Sequence, residues 1–528
     1  MIFEDCAYLS TLFGSFRRNA DRVAVIHPGG SLTYAELLAE VFRVARALEG
    51  LGLRRGDGVA AIAHNTPGIL VTNLASQVLG CYFAGISTSA ATAEQARMIE
   101  FTEVAAVVYE PALAADRSEE LAETYGVEGL LSLGPSSTGT DLLALAADLP
   151  STALTPRAGE QDIADLVFTG GSTGGKPKAA AYTFERMGEL AESWLSIGDQ
   201  DAADAAYRAD DCRLLRCFAV TDAPGVAVLP ALLHGATLVL QQGFDASAVL
   251  HAIERQRVTV LSLYPSDLYR LLDHPDVTRT DLSTLRLVVY YGAPMSPARL
   301  RQAIEVFGTV FYQIYGQSET RMLCTLQPED HRVDRPELLR SVGRPRPGVK
   351  LEIRASTGNA AVGELGEIHA RTPYRMNHYW REPHLTAETV DGDWTRTADL
   401  GYRDAAGYVY VAGRLRDVVV VGGFNCHAVE IENVLMTHPS VRAAVVVGLE
   451  DPRTGEAVHA AVVRRPGTEV SEVELGELVR LDLGELQRPR SVLFLDELPV
   501  TRSGKPDKNA VRQLLMLQGA SGRGVEPR

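Results

Sequence analysis

The order of apolar and polar positions predicts helices and buried strands that follow one another along the chain. Thr33 and Glu36 have the spacing of a capping box, in which the two side chains close the first turn of a helix. The run Gly58–Ala63 further on is short and apolar, as is typical of a buried strand. Between them, apolar residues recur with helical spacing until Gly50 and Gly52: Leu37, Leu38, Val41, Val44, Ala45 and Leu48.

The same alternation continues towards the middle of the chain. Further apolar runs that resemble strands lie at Thr237–Leu240, Val258–Leu263 and Leu285–Tyr290. Short apolar strands alternating with helical patterns are typical of sheets that helices cover on both faces. The pattern predicts the α/β fold class, with a large N-terminal domain built of α/β subdomains.

The pattern changes character between residues 391 and 413. Asp404–Gly407 predicts a hairpin turn, and the four residues after it alternate between the two faces of a strand. A smaller α/β segment follows, with a strand at Val418–Val421 and a helix around Val429–Thr437. We therefore divide the chain into an N-terminal domain, residues 1–414, and a small mobile C-terminal domain, residues 415–528.

Length and composition narrow the class of protein. With 528 residues, 46% of them hydrophobic and 22% charged, the chain is typical of a globular protein of more than one domain. Its net charge of -16 argues against a nucleic-acid partner. No signal peptide or integral membrane segment is expected. The six scattered cysteines lack the spacing of a zinc site and predict reduced thiols in a cytoplasmic protein: Cys6, Cys81, Cys212, Cys217, Cys324 and Cys426.

A glycine-rich loop after the apolar strand Ile163–Phe168 carries the strongest chemical signal. Glycines allow backbone N–H groups to approach phosphate oxygens, while hydroxyls add donors and lysines add positive charge. The candidate phosphate ligands are Thr169, Gly170, Gly171, Ser172, Thr173, Gly174 and Lys178. The segment therefore indicates nucleotide binding, although a surface loop without a ligand has a similar composition.

Part of the loop also fits the Walker A spacing of P-loop ATPases. Gly170, Gly175 and Lys176 satisfy that pattern, but the next residue, Pro177, lacks the hydroxyl that holds magnesium in those proteins. This difference argues against a P-loop enzyme, which would release ADP and phosphate.

The loop resembles the phosphate-binding loop of the adenylate-forming superfamily, which includes acyl-CoA synthetases, luciferases and the adenylation domains of peptide synthetases. The usual pattern there is Thr-Ser-Gly-Thr-Thr-Gly-x-Pro-Lys-Gly. Gly170 stands where serine is common, and one extra residue separates Gly174 from Pro177. The resemblance implies an enzyme that makes an acyl-AMP and releases pyrophosphate.

Two further segments resemble the superfamily's nucleotide-binding motifs. Gly292, Ala293 and Pro294 match the turn that lines the adenine pocket. The segment 312–320 is similar to Tyr-Gly-x-Thr-Glu-Thr. By that similarity Tyr315 and Gly316 bind the adenine, Ser318 meets the α-phosphate, and Glu319 binds Mg2+, which prefers carboxylate and phosphate oxygens.

Motifs of the second half are similar to the superfamily's hinge and thiol tunnel. Asp399 is implied to accept the ribose hydroxyls, and Arg414 to contact the ribose. Arg416 occupies the hinge position. The tunnel that receives the thiol corresponds to Gly422, Gly423 and Phe424.

Lys505 is the candidate catalytic lysine, because residues 499–505 resemble the motif Pro-x-Thr-x-Ser-Gly-Lys. The reaction brings a carboxylate to the α-phosphate of ATP, so catalysis requires positioning and charge neutralisation rather than a side-chain nucleophile. We assign catalytic roles to Lys505, Glu319 and Ser318. The resemblance implies that the small domain then rotates about Arg416 and brings the tunnel into the site.

The acid pocket is predicted from Asp222, Gly292 and Gly316. The spacing from Asp222 to Gly235 is similar to that in amino-acid adenylation domains, where the aspartate binds the ammonium group of the substrate. Since a carboxylate buried in such a pocket would need a cationic partner, the resemblance favours an amino acid. Asp222 also fits a helix cap ahead of Pro224. Both interpretations remain open from the residues.

The resemblance implies ATP, Mg2+ and CoA, or a carrier-protein phosphopantetheine, as cofactors. The chain is thus expected to be an ATP-dependent acid–thiol ligase acting on a small carboxylic acid. The alternative is a stand-alone enzyme that loads an amino acid, including a β-amino acid, onto a carrier protein in trans. A luciferase-type oxygenase or an enzyme that only adenylates its acid fits the same motifs.

Overall fold

The computed structural model describes residues 6–88, 90–169, 176–198, 201–219, 227–356, 358–501 and 505–521. Its α-helices are α1 Ala7–Arg18, α2 Tyr34–Gly50, α3 Pro67–Val78, α4 Thr92–Thr102, α5 Pro111–Glu123, α6 Leu142–Ala147, α7 Phe184–Leu195, α8 Ala202–Arg208, α9 Val228–His234, α10 Ala246–Gln256, α11 Pro265–Leu272, α12 Pro297–Phe307, α13 Pro383–Thr389, α14 Ala428–Leu435, α15 Glu472–Leu483 and α16 Lys508–Ser521.

The strands are β1 Val23–His27, β2 Gly30–Thr33, β3 Gly58–Ile62, β4 Tyr82–Gly85, β5 Ala106–Tyr109, β6 Leu130–Ser132, β7 Thr140–Asp141, β8 Ile163–Phe168, β9 Ala179–Thr183, β10 Arg213–Arg216, β11 Thr237–Leu240, β12 Val260–Leu263, β13 Leu287–Tyr291, β14 Phe311–Gln317, β15 Arg321–Leu326, β16 Arg344–Pro345, β17 Lys350–Ala355, β18 Gly358–Asn359, β19 Gly366–Arg371, β20 His378–Tyr379, β21 Val390–Asp391, β22 Trp394–Arg403, β23 Val409–Arg414, β24 Val418–Val421, β25 Phe424–His427, β26 Val441–Asp451, β27 Gly455–Arg464 and β28 Ser491–Leu495.

Two largely parallel sheets form the first part of the molecule. One has the strand order β16-β15-β14-β13-β12-β10-β11-β1-β2, and the other has the order β20-β9-β8-β4-β3-β5-β6-β7. Strands β3, β5, β12 and β13 are buried along their whole length. Their side chains are mostly apolar on both faces because helices cover both sides of each sheet, as the run of apolar residues predicts.

Two smaller sheets complete the fold. Strands β18-β17-β19-β22-β21 form an antiparallel sheet, with β23 paired to β22. The last sheet has the order β25-β24-β27-β26 with β28 on β27, and all of its strands follow residue 417. It encloses a separate apolar core that includes Val419, Ile431 and Val458. This arrangement agrees with the predicted α/β class of one large and one small part.

Local predictions agree with the structure where periodicity and capping both act. The Thr33 hydroxyl accepts the backbone N–H of Glu36, and a Glu36 oxygen accepts the backbone N–H of Thr33, which completes the capping box. The predicted strand Val418–Val421 has the same bounds in the structure. All six cysteines are free and buried. Among the helices in the described ranges, none is long and apolar enough to span a bilayer.

Parallel strands bring several loops together at one sheet edge. Strands β10, β12, β13 and β14 are neighbours in parallel register, so the residues after their carboxyl ends lie side by side. Ligands of open α/β sheets bind outside the carboxyl ends of the strands. A functional site is therefore expected at this edge of the first sheet.

Candidate active site

The glycine-rich loop starts and ends at neighbouring positions of the second sheet. The backbone N–H of Thr169 donates to the carbonyl of Lys178 across 2.9 Å, and β8 and β9 pair antiparallel on either side. The predicted phosphate ligands Gly170, Gly171, Ser172, Thr173 and Gly174 lie outside the described residues. The strand pairing fixes where the two ends of this loop emerge.

Glu319 lies at the centre of a small polar cluster between the two sheets. Its Oε1 accepts the hydroxyl of Tyr379 at 2.6 Å and lies 3.5 Å from Nζ of Lys178. The ammonium of Lys178 is also 4.0 Å from the centre of the Tyr379 ring. Burial lowers the pKa of Lys178, and the charge of Glu319 partly offsets that effect. The cluster holds one carboxylate beside one cation at the mouth of the glycine-rich loop.

A buried ion pair supports the backbone that carries Ser318 and Glu319. The Tyr182 hydroxyl donates to the carbonyl oxygen of Ser318, and Arg321 lies over the Tyr182 ring at 3.9 Å from its centre. Arg321 also bonds Asp165 of β8 at 3.1 Å. Because both charged side chains are buried, either one alone would be costly, and the pair constrains where the turn after β14 lies.

The turn itself is closed tightly around Gly316. A Cβ at this position would lie 1.9 Å from the carbonyl oxygen of Arg321, so any larger residue would displace the backbone. The β14–β15 register shifts between Tyr315 and Gly316, which is the irregularity that lets the chain turn there. Gly316 thus serves the close approach of two strands, and Tyr315 precedes it.

Asp399 receives hydrogen bonds from two side chains and forms an ion pair with a third. Its Oδ2 accepts the hydroxyl of Tyr315 and the amide of Gln317, both at 2.7 Å, and its Oδ1 lies 3.2 Å from Nε of Arg414. Burial raises the pKa of Asp399, whereas the Arg414 guanidinium and the two hydrogen bonds act in the opposite direction. Ala398 before it has a φ of 56°, a conformation that glycine adopts more readily.

Lys505 reaches the carboxyl edge of the first sheet from the small part of the chain. A Cβ on Gly292 would lie 3.4 Å from Cε of Lys505 and 2.9 Å from Cε1 of Tyr264. Gly292 has a φ of +87° and begins the turn that continues through Ala293 and Pro294. The absence of a side chain at residue 292 therefore leaves room for both groups.

Aromatic rings extend from this point into the sheet. The ring centres of Phe218 and Tyr264 are 4.5 Å apart, and those of Tyr264 and Tyr291 are 5.3 Å apart. The Tyr291 hydroxyl accepts a hydrogen bond of 2.6 Å from buried Arg216. Asp222, which we predicted in the acid pocket, lies outside the described residues.

The predicted hinge and thiol tunnel lie in the same small part of the chain as Lys505. Arg416 is in a short 3-10 helix between β23 and β24. Gly422 and Gly423 have φ values of 59° and 87° and form the two-residue turn of the β24–β25 hairpin. Phe424 after the turn is 47% exposed. Lys505 is thus at the site while the side chain predicted in the tunnel faces solvent.

The structure also brings in residues that the sequence did not single out for the site. Tyr379 and Gln317 bond the two site carboxylates, while Tyr182 and Arg321 support the turn at Ser318. Gln317 stands inside a motif that we quoted, so its position was a usable signal. Tyr379 is 60 residues from Glu319 in the chain. The β20–β9 pairing and a hydrogen bond from the backbone N–H of Met376 to the carbonyl of Glu319 bring them together.

Among the described residues, one carboxylate of this cluster is placed as a candidate metal ligand. Within the residues that the structure describes, no group of three or more His, Cys, Asp or Glu side chains is placed to hold a metal ion. Magnesium is commonly held by one or two carboxylates together with substrate phosphates. Glu319 fits that pattern, since it is a partly buried oxygen donor beside the glycine-rich loop.

Comparison with known proteins agrees with this geometry. Residues 12–380 match the family described as AMP-binding enzyme, and residues 430–505 match the AMP-binding enzyme C-terminal domain. The medium/long-chain-fatty-acid–CoA ligase of Mycobacterium tuberculosis is 32% identical over 518 residues, covering 95% of this chain and 89% of that protein. The indoleacetate–CoA ligase of Aromatoleum aromaticum is 32% identical over 501 residues, covering 94% and 95%.

A solved structure extends the comparison. The amide bond synthetase McbA from Marinactinospora thermotolerans is 40% identical, with a TM-score of 0.85, and the match covers 95% of this chain and 99% of that one. The fold and the site thus define an adenylate-forming enzyme. This chain belongs to the AMP-binding enzyme family. It is an AMP-forming acid–thiol ligase of the acyl-CoA synthetase type, which confirms the class predicted from the motifs.

Proposed function

We propose that the chain adenylates an aromatic carboxylic acid next to Gly292 and then transfers the acyl group to CoA. The observation that carries this proposal is the meeting of Lys505 and Tyr264 at Gly292. Lys505 supplies positive charge there, and Tyr264 supplies one wall of a pocket. An aromatic acid held at that point has its carboxylate next to the ammonium of Lys505 and its ring next to the ring of Tyr264.

The nucleotide is assigned to the polar groups around the carboxyl edge of the first sheet. Asp399 accepts the ribose hydroxyls, and Arg414 contacts the same sugar. Tyr315 and Gly316, with the turn Gly292–Pro294, hold the adenine. The bond from Tyr315 to Asp399 supports this assignment, because it holds a flat ring beside the carboxylate that binds the sugar.

The phosphates are assigned to the space between the glycine-rich loop and Glu319. Thr169 and Lys178 at the ends of the loop, together with residues 170–174, contact the phosphates, and Ser318 contacts the α-phosphate. Glu319 is proposed to bind Mg2+, which when bound would neutralise part of the phosphate charge. The hydroxyl of Tyr379 orients the Glu319 carboxylate through its 2.6 Å bond.

In the first half-reaction an oxygen of the acid attacks the α-phosphorus of ATP, and the bond to pyrophosphate breaks. Lys505 holds the carboxylate and the α-phosphate together and balances the charge that builds up between them. A lysine suits this position because its ammonium is a compact charge with three donors. No side chain forms a covalent bond to the acid.

In the second half-reaction the thiol sulfur attacks the acyl carbon and AMP leaves. Lys505 and the tunnel residues Gly422, Gly423 and Phe424 belong to one small part of the chain. Rotation of residues 415–528 about Arg416 therefore removes Lys505 from the site and brings the tunnel residues into it. The exposure of Phe424 while Lys505 lies against Gly292 supports this exchange. CoA is the first choice of thiol, and a carrier-protein phosphopantetheine is the alternative.

Aromatic acids are favoured over long fatty acids by the rings that line the predicted pocket. Phe218, Tyr264 and Tyr291 form a continuous series of ring contacts next to Gly292. Aromatic rings gain from edge-to-face or offset contacts beyond the area they bury. The similarity to an indoleacetate–CoA ligase is consistent with such a substrate.

ATP–pyrophosphate exchange with a panel of aryl, fatty, α-amino and β-amino acids tests the acid class. We expect exchange with aryl acids and acyl-CoA formation when CoA is added. Tyr264→Ala should raise the KM for an aryl acid at least tenfold and leave the KM for ATP unchanged. Exchange with fatty acids alone would contradict the aromatic pocket.

An amino acid remains the alternative substrate because of Asp222. If exchange occurs with an amino acid and is lost in Asp222→Asn, the enzyme loads an aminoacyl group, and a carrier protein becomes the expected acceptor. If the wild type and Asp222→Asn activate aryl acids equally, the carboxylate has the capping role.

The buried free cysteines are consistent with a cytoplasmic enzyme.

An amine is a second candidate acceptor. The chain is 40% identical to an amide bond synthetase over 95% of its length, against 32% to the two CoA ligases compared above. An amine nitrogen that attacks the same acyl-AMP forms an amide and releases AMP. Supplying CoA and a panel of amines to the enzyme with its bound acyl-AMP, separately and together, distinguishes the two by the mass of the product.

A further inference from the structure

A single carboxylate links the two parts of the molecule away from the site. Asp273 follows α11 in the large part of the chain. Its Oδ2 accepts a 3.0 Å hydrogen bond from Nε of Arg442 at the start of β26, and its Oδ1 lies 3.9 Å from Arg465 after β27. Both arginines belong to the small part, so these ion pairs cross between the two.

The partner of Asp273 within the large part is buried. Nη2 of Arg299 donates to Asp273 Oδ1 at 2.7 Å and to the carbonyl of Tyr269 at 3.0 Å, and the Arg299 side chain is only 2% exposed. Nη1 of Arg299 donates to Gln302. These bonds fix Arg299, which in turn holds the carboxylate of Asp273 towards the two arginines of the small part.

Positive charges outnumber negative charges in this cluster. Three guanidiniums surround one carboxylate, and the pKa of Arg465 is lowered by burial and by the charges of Arg299 and Arg442, with Asp273 opposing this effect. Like charges that are partly buried repel one another strongly unless an opposite charge lies among them. Asp273 therefore allows the two surfaces to meet, and without it they would repel.

Helix α11 places this cluster close to the site. Tyr264 precedes the helix and lies against Gly292, whereas Asp273 is the residue at its end. Tyr269 in the middle packs against the second core of the large part and also against the core of the small part. A helix of this length spans about 12 Å. One rigid element thus connects the wall of the acid pocket to the contact between the two parts.

We infer that Asp273, with Arg442 and Arg465, is an electrostatic latch that holds the small part where Lys505 reaches Gly292. These are positioning residues, since they act on the reaction through Lys505 and touch no substrate. The inference rests on the proposed exchange of Lys505 for the tunnel hairpin. Opening the latch lowers the population that adenylates the acid and leaves the population that transfers the acyl group undiminished.

The test measures the two half-reactions separately in Asp273→Asn. We expect adenylation, measured by pyrophosphate exchange, to fall about tenfold, because charged networks of this kind contribute on the order of one factor of ten. Single-turnover transfer from supplied acyl-AMP to CoA should stay the same or become faster. Raising the salt concentration should slow adenylation by the wild type more than by the variant, because salt screens the latch.

Asp276→Asn is the matched control. Asp276 lies three residues further along the same loop, and in the described part of the chain its ion pairs are with the nearby Arg279 and His274, so both half-reactions should be unchanged. Arg442→Gln should slow adenylation less than Asp273→Asn, because it also removes one of the like charges around Asp273, and the double variant should be no slower than Asp273→Asn. An equal loss in both half-reactions, or additive losses in the double variant, would overturn the latch.

A second measurement is independent of the substrate. Arg416 lies in a 3-10 helix of the proposed hinge, and trypsin requires an extended backbone around the bond that it cleaves, so cleavage there reports how often the hinge opens. Asp273→Asn should be cleaved several times faster than wild type at unchanged thermal midpoint. Equal cleavage rates would refute the latch even if no acid is found. Failure of the wild type to exchange pyrophosphate with any acid would instead refute the proposed function.

Discussion

The two parts of the candidate site are built differently. Asp399 and Glu319 sit on strands and turns of the large part, and each is held by side chains whose bonds are 2.6–2.7 Å long. The small part brings Lys505 and the hairpin at Phe424, which lie on a loop and at a turn. A fixed half suits the binding of a nucleotide, whereas groups on a loop and at a turn suit a half that leaves and returns.

The strongest test of this contrast is Lys505→Ala. It should lower the rate of adenylation by about 100- to 1,000-fold, as expected when one preorganised charge is removed from a transition state. Acyl transfer from supplied acyl-AMP should be nearly unchanged, because the proposed rotation moves Lys505 out of the site before that step. Pyrophosphate exchange and single-turnover transfer measure the two rates.

Lys350→Ala provides the control for that variant. Lys350 is exposed on β17 and should be replaceable without effect on either half-reaction. If Lys505→Ala slows both half-reactions equally, the division of labour between the two parts would be wrong.

A smaller effect is expected from Tyr315→Phe in the fixed half. Removing the hydroxyl leaves one oxygen of Asp399 with fewer donors, and a hydrogen bond to a charged group is worth about 1.5–3 kcal/mol. We expect the KM for ATP to rise about tenfold and the KM for the acid to stay constant. Tyr410→Phe is the control, because it removes a similar tyrosine–aspartate hydrogen bond, from Tyr410 in β23 to Asp404. Initial-rate kinetics should find the KM for ATP unchanged in this variant.

The pH dependence of ATP binding tests whether Arg414 lowers the pKa of Asp399. Burial raises the pKa of Asp399, so this carboxylate gains a proton at a higher pH than an exposed aspartate, and ATP binding should weaken as the pH falls. The Arg414 charge lowers that pKa. In Arg414→Gln the weakening should therefore begin at a higher pH, whereas Arg414→Lys should keep most of the wild-type profile. The KM for ATP measured against pH decides this, and coincident profiles for all three proteins would contradict it.

The smallest effects compare the stability of the two parts directly. Thr33 and Ser471 are the first residues of matched capping boxes, on α2 of the large part and α15 of the small part. Loss of a cap should shift the melting of a small domain by about 4–8 °C and that of a larger one by about 2–4 °C or less. Calorimetry of Thr33→Ala and Ser471→Ala measures both shifts. Equal shifts in a single transition would mean that the two parts unfold as one unit.

Patterns that depend on neighbours in sequence were sufficient for much of the fold. Thr237–Leu240, Ile163–Phe168 and Val418–Val421 were predicted as strands and have those bounds in the structure. Leu285–Tyr290 was also predicted as a strand, yet β13 spans Leu287–Tyr291, where it pairs with β12 and β14. The ends of elements depend on the partner strand, which periodicity does not report.

The sequence by itself determined the α/β class, the ordered motifs and the family to which they belong, because glycines, caps and spaced polar residues act over a few positions. Only the tertiary structure joined Glu319 to Tyr379, Asp399 to Gln317 and Asp273 to Arg442. Each of these pairs is separated by 60 or more residues in the chain. Their contacts follow from strand order and from how the two parts meet, and these depend on the packing of the whole molecule.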